Sequence, residues 1–325
     1  MVWIAAGVIV LALVGAALWY VAINARSVET LDRIDRFYTG GNAELVDGPV
    51  QFGKHPQQRL FVHRAPDAPP DAGLPVIVFI HGGSWRSGDP EPYAYVARNF
   101  APGGYVVVSA GYRLGEAGRF PAMLQDGAAA LRWVRDNIAT HGGNPDRIAV
   151  MGHSAGAYNA KMLALDTQWL AAEGLGPDTI DAVIGIAGPY DFLPLDSDST
   201  KAAFGHVEPL ESTQPIHHAR PDAPPSLLIT GDADETVRPR NVPAMAEALT
   251  DAGMPESRVR TVTIPGMGHI PIVMALSTPF EKDGRVKAEI RKFLADTLPP
   301  ETRRIARIPV AASALPSADV QAENE

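Results

Sequence analysis

The pentapeptide Gly152-His153-Ser154-Ala155-Gly156 follows the run Arg147-Ile148-Ala149-Val150-Met151 and precedes a stretch with helical spacing. A G-x-S-x-G between strand and helix puts its serine on a sharp turn, with the hydroxyl exposed at the end of a sheet. Such a hydroxyl is a weak nucleophile until a base takes its proton. The flanking glycines let the backbone close around a serine held in a strained conformation. By itself the pattern arises often by chance and marks only a turn. The strand before it and the helix after it give it chemical meaning. The reaction expected of Ser154 is attack on an acyl carbonyl, which also needs a base, an orienting acid and donors for a developing oxyanion.

Each of those parts has a candidate. His81-Gly82-Gly83-Ser84-Trp85 closes a second apolar run, Pro75-Val76-Ile77-Val78-Phe79-Ile80. Two glycines let main-chain N–H groups approach a ligand oxygen, so those of Gly83 and Ser84, with that of Ala155, are expected to surround the oxyanion. For this segment alone, a glycine turn ending a strand would suffice. Gly231-Asp232-Ala233-Asp234-Glu235-Thr236-Val237 follows the run 226–230 and offers three carboxylates. Asp234 is the expected acid, because three residues beyond Gly231 carry it onto a loop over the sheet edge. Asp232 is the second choice and Glu235 reads as solvated; a simple acidic turn is the bland reading of the cluster. Of nine histidines, His269 in Gly266-Met267-Gly268-His269 is the expected base. It follows the acid and sits in a glycine loop. His217 and His218 precede Asp234, His81 and His153 are built into turns, and the remainder lack supporting context.

The elements that must position these residues are legible as short apolar runs. Residues 75–80, 105–109, 182–186 and 226–230 are continuous and apolar, the pattern of strands buried on both faces. Residues 58–63 alternate, and 259–264 are more polar and belong nearer a sheet edge. Helical spacing over 126–138 and 286–294 supplies two of the covering helices. Strands separated by helices give βαβ units and a mainly parallel sheet. Residues 193–220 lack a period and read as a lid-like insertion over the strand ends. The proline-rich stretch 65–71 is a turn.

Gathered together, His81–Trp85, Gly111-Tyr112-Arg113-Leu114, Phe120-Pro121, Gly143-Asn144-Pro145-Asp146-Arg147-Ile148, the Ser154 elbow, the Asp234 loop and Gly268-His269 resemble the α/β-hydrolase superfamily from about residue 58 to 294. Within it the chain is similar to the carboxylesterase and feruloyl-esterase-like (BD-FAE-like) branch, related to kynurenine-formamidase-like enzymes. It departs from the hormone-sensitive-lipase-like branch at Ser84, where that branch has a third glycine. The resemblance implies an α/β-hydrolase fold, the chain order Ser154, Asp234, His269, and hydrolysis of a small-molecule ester without cofactor or metal. An arylformamidase or other amidase with the same triad is the alternative, and an inactive membrane-bound binding module is a third reading. Tyr112 and Arg113 are expected to pack and pair beneath the site, and Asp126 to cap its helix or bond the backbone there. Trp85 either borders a substrate pocket or simply packs. Trp133 and Trp169 read as core or insertion anchors.

Bulk properties narrow the rest. A chain of 325 residues, 46% hydrophobic, is large enough for a self-sufficient core. It has no cysteine, which excludes disulfides and thiolate chemistry. A net charge of -9 without a basic stripe excludes nucleic acid as a partner. Residues 2–23 are 22 positions without a charge, enough to cross a bilayer as a helix. No Lys or Arg precedes them, so a membrane anchor over 1–25 is the expectation and a cleaved signal peptide the alternative. Arg26, Arg33 and Arg36 follow the span and favour a cytoplasmic C-terminal side; an exported enzyme is the other orientation. Residues 26–57 are expected as a linker, beginning with an amphipathic stretch over 28–38, then 58–298 as the catalytic domain and 299–325 as a disordered tail. Oligomeric state is left open.

Overall fold

The computed structural model describes Gly15, residues 27–281 and residues 284–300. The rest of the apolar run 2–23, and the tail beyond Pro300, lie outside the described residues. Among the described residues no helix is long and apolar enough to cross a membrane.

Leu74–Ile80 (β3) is buried along its whole length, as an unbroken apolar run requires. Its alternate side chains go to two separate cores. Val76, Val78 and Ile80 join one cluster, Ile77 and Phe79 the other. Seven further strands flank it: Glu44–Gln51 (β1), Arg59–Arg64 (β2), Val106–Ala110 (β4), Gly143–His153 (β5), Ala182–Ile186 (β6), Ser226–Gly231 (β7) and Val259–Ile264 (β8). The sheet runs β1-β2-β4-β3-β5-β6-β7-β8. From β4 to β8 every pair is parallel, while β1 and β2 are antiparallel at one end. This is the mainly parallel sheet expected, and β8 lies at an edge, as its polar residues imply.

The helices are Ser27–Thr39 (α1), Ala94–Phe100 (α2), Ala122–Asn137 (α3), Ala155–Leu165 (α4), Gln168–Ala172 (α5), Asp198–Phe204 (α6), Asn241–Asp251 (α7), His269–Met274 (α8) and Arg285–Thr297 (α9). One face of the sheet is covered by α3 and α4, through Leu124, Leu131, Tyr158 and Leu163. The other is covered by α2, α8 and α9, through Phe100, Ile272, Ile290 and Phe293. Val242, Met245 and Leu249 of α7 close a smaller cluster around Leu228. Strands therefore end at one edge of a layer sealed above and below, and the loops leaving that edge carry the candidate residues.

Residues 26–57, expected as a linker, instead carry α1 and the edge strand β1. The strand has bulged pairing to β2, and its residues are exposed or half-buried, so no apolar run announces it. Helix α1 docks through a buried polar cluster. Arg98 Nε donates to Asp35 Oδ2 at 2.9 Å, and its Nη2 donates to Asp32 Oδ1 at 2.7 Å. Asn99 Nδ2 (3.0 Å) and the Thr278 N–H (2.8 Å) donate to the other oxygen of the fully buried Asp35. The insertion 193–220 contains α6, opened by a capping box of Ser197 and Thr200. It is pinned by Phe204, buried edge-on against Trp85 and Tyr158.

Candidate active site

Strand β5 ends at His153, α4 begins at Ala155, and Ser154 makes the turn between them with φ 55° and ψ −122°. A non-glycine residue at positive φ is strained, and here the packing on either side enforces it. A Cβ at Gly156 would stand 2.0 Å from the Ile80 carbonyl oxygen, and one at Gly152 would stand 2.2 Å from that of Gly156. The Ser154 N–H donates to the Ile186 carbonyl at 2.9 Å, tying the elbow to β6.

Ser154 Oγ lies 2.8 Å from His269 Nε2, and His269 Nδ1 lies 2.7 Å from Asp234 Oδ2. The three side chains thus form one hydrogen-bonded chain, all of it buried. The other oxygen of Asp234 accepts the N–H groups of Thr236 and Val237, each at 2.9 Å. Burial alone would raise the Asp234 carboxyl. The hydrogen bond from His269 and those from Val237 and Thr236 outweigh it and hold the group below the ordinary carboxylate range. Asp232, the second choice, faces elsewhere: its Oδ1 accepts the Gly266 N–H at 2.6 Å and so holds the turn that leads to His269. The Ala233 N–H donates to the Met267 carbonyl at 3.2 Å, a second tie between acid loop and histidine loop.

The His81–Trp85 loop curls beside Ser154. Gly83 has φ 118°, and a Cβ there would meet the Ser87 carbonyl oxygen at 1.9 Å. Ser84 and Trp85 follow at φ 53° and 57°, so three successive residues take left-handed backbone. Among the described residues the N–H groups of Gly83, Ser84 and Ala155 find no backbone acceptor, which leaves them free for a ligand oxygen. Tyr112 Oη donates to the His81 carbonyl at 3.1 Å and its ring stacks on His81, supporting the loop from behind. Asp126 accepts both the Arg113 N–H (2.7 Å) and its guanidinium, so it braces this region and does not cap α3.

His153 has a role the sequence did not show. Its Nε2 lies 3.0 Å from the His269 carbonyl oxygen, fixing the backbone of the candidate base. Burial, and after it the closeness of the His269 ring, lower its pKa to about 3, and burial lowers that of His81 to about 4. Both rings stay neutral at pH 7. Only a contact 116 positions away reveals what His153 does. Trp85 does both things considered for it. Its Nε1 donates to Asn159 Oδ1 at 3.1 Å, and the ring also borders a cavity at Ser154.

Ser154 stands where two cavities meet. One, of about 470 Å³, runs past Ala155, Trp85 and Phe192 toward Arg238 and Arg240. The other, of about 320 Å³, runs past His269 toward Tyr93, Val273 and α1. A larger polar groove of about 800 Å³ between α1, β1 and Asp89 does not include Ser154. Among the described residues no group of His, Asp and Glu is placed to hold a metal ion. The arrangement can deprotonate Ser154 with a neutral imidazole, keep that imidazole in one tautomer, and stabilise the imidazolium that results.

Comparison with known proteins is consistent with this geometry. Over 240 residues the chain is 32% identical to esterase LipC of Mycobacterium tuberculosis, covering 68% of this chain and 58% of LipC. Over 236 residues it is 28% identical to esterase LipQ of the same organism, covering 67% of this chain and 55% of LipQ. The chain thus spans less than two thirds of the length of either relative. Apo Thermogutta terrifontis esterase 2 superposes with a TM-score of 0.62 at 25% identity, covering 79% of this chain and 95% of that one. A truncated carbohydrate esterase from gut microbiota superposes with a TM-score of 0.64 at 23% identity, over 78% and 97% of the two chains, a likeness of fold. The profile of the BD-FAE family matches residues 65–249, and the chain belongs to this family of α/β-hydrolases.

Proposed function

We propose that the protein is a serine esterase that cleaves carboxylic esters through an acyl-enzyme on Ser154. The observation that carries this reading is the unbroken hydrogen-bonded chain from Ser154 through His269 to Asp234. His269 Nε2 takes the Ser154 proton as Oγ attacks the ester carbonyl carbon. The carbonyl oxygen becomes an oxyanion and accepts the N–H groups of Gly83, Ser84 and Ala155. Collapse breaks the bond to the alcohol oxygen, which leaves with the proton from His269. Water then attacks the acyl carbon with His269 again as base, and the acid leaves from regenerated Ser154. Throughout, Asp234 keeps Nδ1 protonated and faces the imidazolium.

Ser154→Ala should fold as the wild type does and lose roughly four to six orders of magnitude in kcat, the scale of triad knockouts. A fluorophosphonate probe should label Ser154 in the wild type and leave the variant untouched. Retained hydrolysis, or labelling elsewhere, would sink the reading. A panel of p-nitrophenyl esters assayed beside N-formylkynurenine separates ester from formamide chemistry; faster turnover of the formamide would reassign the reaction while keeping the triad.

The proposal extends to location. The uncharged run 2–23 supports a single-pass anchor directly before α1. The protein made in its own cell should then resist carbonate extraction; a mature N-terminus near Arg26 would exclude the anchor.

A further inference from the structure

The two cavities at Ser154 differ in both shape and chemistry, and the reaction proposed above tells them apart. In acylation the leaving oxygen receives its proton from His269 Nε2, so the alcohol must lie on the side of that ring. Only the cavity of about 320 Å³ has His269 in its wall. Its other lining is mostly apolar: Val28 and Leu31 of α1, Tyr93, and Ile270, Val273 and Met274 of α8. The cavity of about 470 Å³ has Ala155 in its wall and His269 outside it. There Asp191 and Arg240 pair with each other at 2.8 Å, and Asp196, Thr200 and Arg238 add polar groups beside the apolar Trp85, Phe192 and Leu193.

We infer that the smaller cavity takes the alcohol of the ester, that this alcohol is compact and apolar, and that Val28 and Leu31 of α1 set its size, while the larger, mixed cavity takes the acyl group. This rests on the esterase reading. Helix α1 is a wall with a fixed position because Asp32 and Asp35, on its next turn, are held by Arg98, Asn99 and the Thr278 N–H. Ile270 is 48% exposed, an apolar residue at the opening of an apolar cavity. The substrate class is therefore an ester of a small hydrophobic alcohol with a larger acid of mixed apolar and polar character.

The test uses two substrate series on the full chain. Acetates of methyl, butyl, hexyl and benzyl alcohol share one acetyl-enzyme, so their differences in kcat/KM read the alcohol side alone. p-Nitrophenyl esters of C2 to C8 acids share one leaving group and read the acyl side alone. Leu31→Trp, which fills the cavity, should lower the hexyl-to-methyl ratio of kcat/KM by about tenfold, the scale of misfit in an apolar pocket. The chain-length profile of the p-nitrophenyl series should keep its shape. Val28→Phe, at a half-buried position, should move the same ratio in the same direction and guards against a misfolded first variant. If the acyl profile changes shape while the alcohol ratio holds, the two cavities are assigned the wrong way round. If neither moves in both variants, α1 is no part of the binding surface. A wild type that fluorophosphonate does not label at Ser154 would fail the esterase reading itself. A labelled enzyme with unmoved ratios would fail only the cavity assignment.

Discussion

The loops around Ser154 and the helix α1 both border the same cavity, yet they are held in place by different physics. The Ser154 elbow, the Gly83 loop and the Asp234 turn are fixed by local backbone geometry: left-handed residues, close glycine packing and N–H groups aimed at a carboxylate. Helix α1 is fixed by charges. Asp35 is fully buried and meets partners on α2 and near Thr278, the latter 243 positions away in the chain. A locally fixed site tolerates a lost side chain without unfolding, whereas a charge cluster does not. Substitutions in the first region should therefore change rate, and those in the second should change stability.

The sharpest way to break this comparison lies at Asp234. Asp234→Asn should lower kcat by up to about 10⁴, because the amide favours the wrong histidine tautomer, with little change in the urea midpoint. Asp232→Asn should cost far less, because the Asp232 carboxylate accepts the Gly266 N–H and takes no part in the chain from Ser154 to Asp234. Steady-state kinetics of the two variants side by side would reverse the assignment if Asp232 proved the costlier.

Arg98→Met tests the other region. It leaves Asp35 buried without its cation, and breaking a buried pair from one side costs about 3–5 kcal/mol. Adding Asp35→Leu should recover only part of that loss, since Asp32 still lacks its cation and Asn99 Nδ2 and the Thr278 N–H lose their acceptor. Urea denaturation of the single and double variants measures both steps. Equal stability for Arg98→Met and wild type would mean that α1 does not depend on the cluster.

Lys161 calibrates what an unmatched buried charge costs. It is fully buried on α4, its Nζ donates to Ser226 Oγ at 2.7 Å, and burial lowers its pKa to about 7. An unfolded lysine titrates near 10.4, so between about 7 and that value the unfolded state binds more protons than the folded one. The penalty is therefore full below pH 7 and fades as pH rises toward 10. Lys161→Met should stabilise the fold by about 2 kcal/mol at pH 7, because Ser226 Oγ keeps the Pro224 carbonyl as a partner. The gain should shrink when the urea series is repeated at pH 9.5. A destabilised variant, or a gain independent of pH, would show that the lysine is not the strained group described.

The chain itself determined what depends on local backbone and on apolar pattern. Continuous apolar runs placed β3, β4, β6 and β7 because a strand covered on both faces has no room for polar residues. Glycines at 83, 152 and 156 marked the two loops at Ser154 because no other residue fits there. Spacing from Gly231 favoured Asp234, and the order of Ser154, Asp234 and His269 followed from the same runs. Tertiary structure alone decided the remainder. Strand β1 pairs at an edge with only Val46 and Val50, half-buried, against the core, and α1, legible as amphipathic, gained its place only when Arg98 met Asp35, 63 positions along the chain. The same long-range packing put Val28 and Leu31 in the wall of one cavity with His269 and turned His153 toward the His269 carbonyl. Local geometry is written in neighbouring residues, but a wall or a buried charge pair is defined by contacts between residues that the sequence keeps far apart.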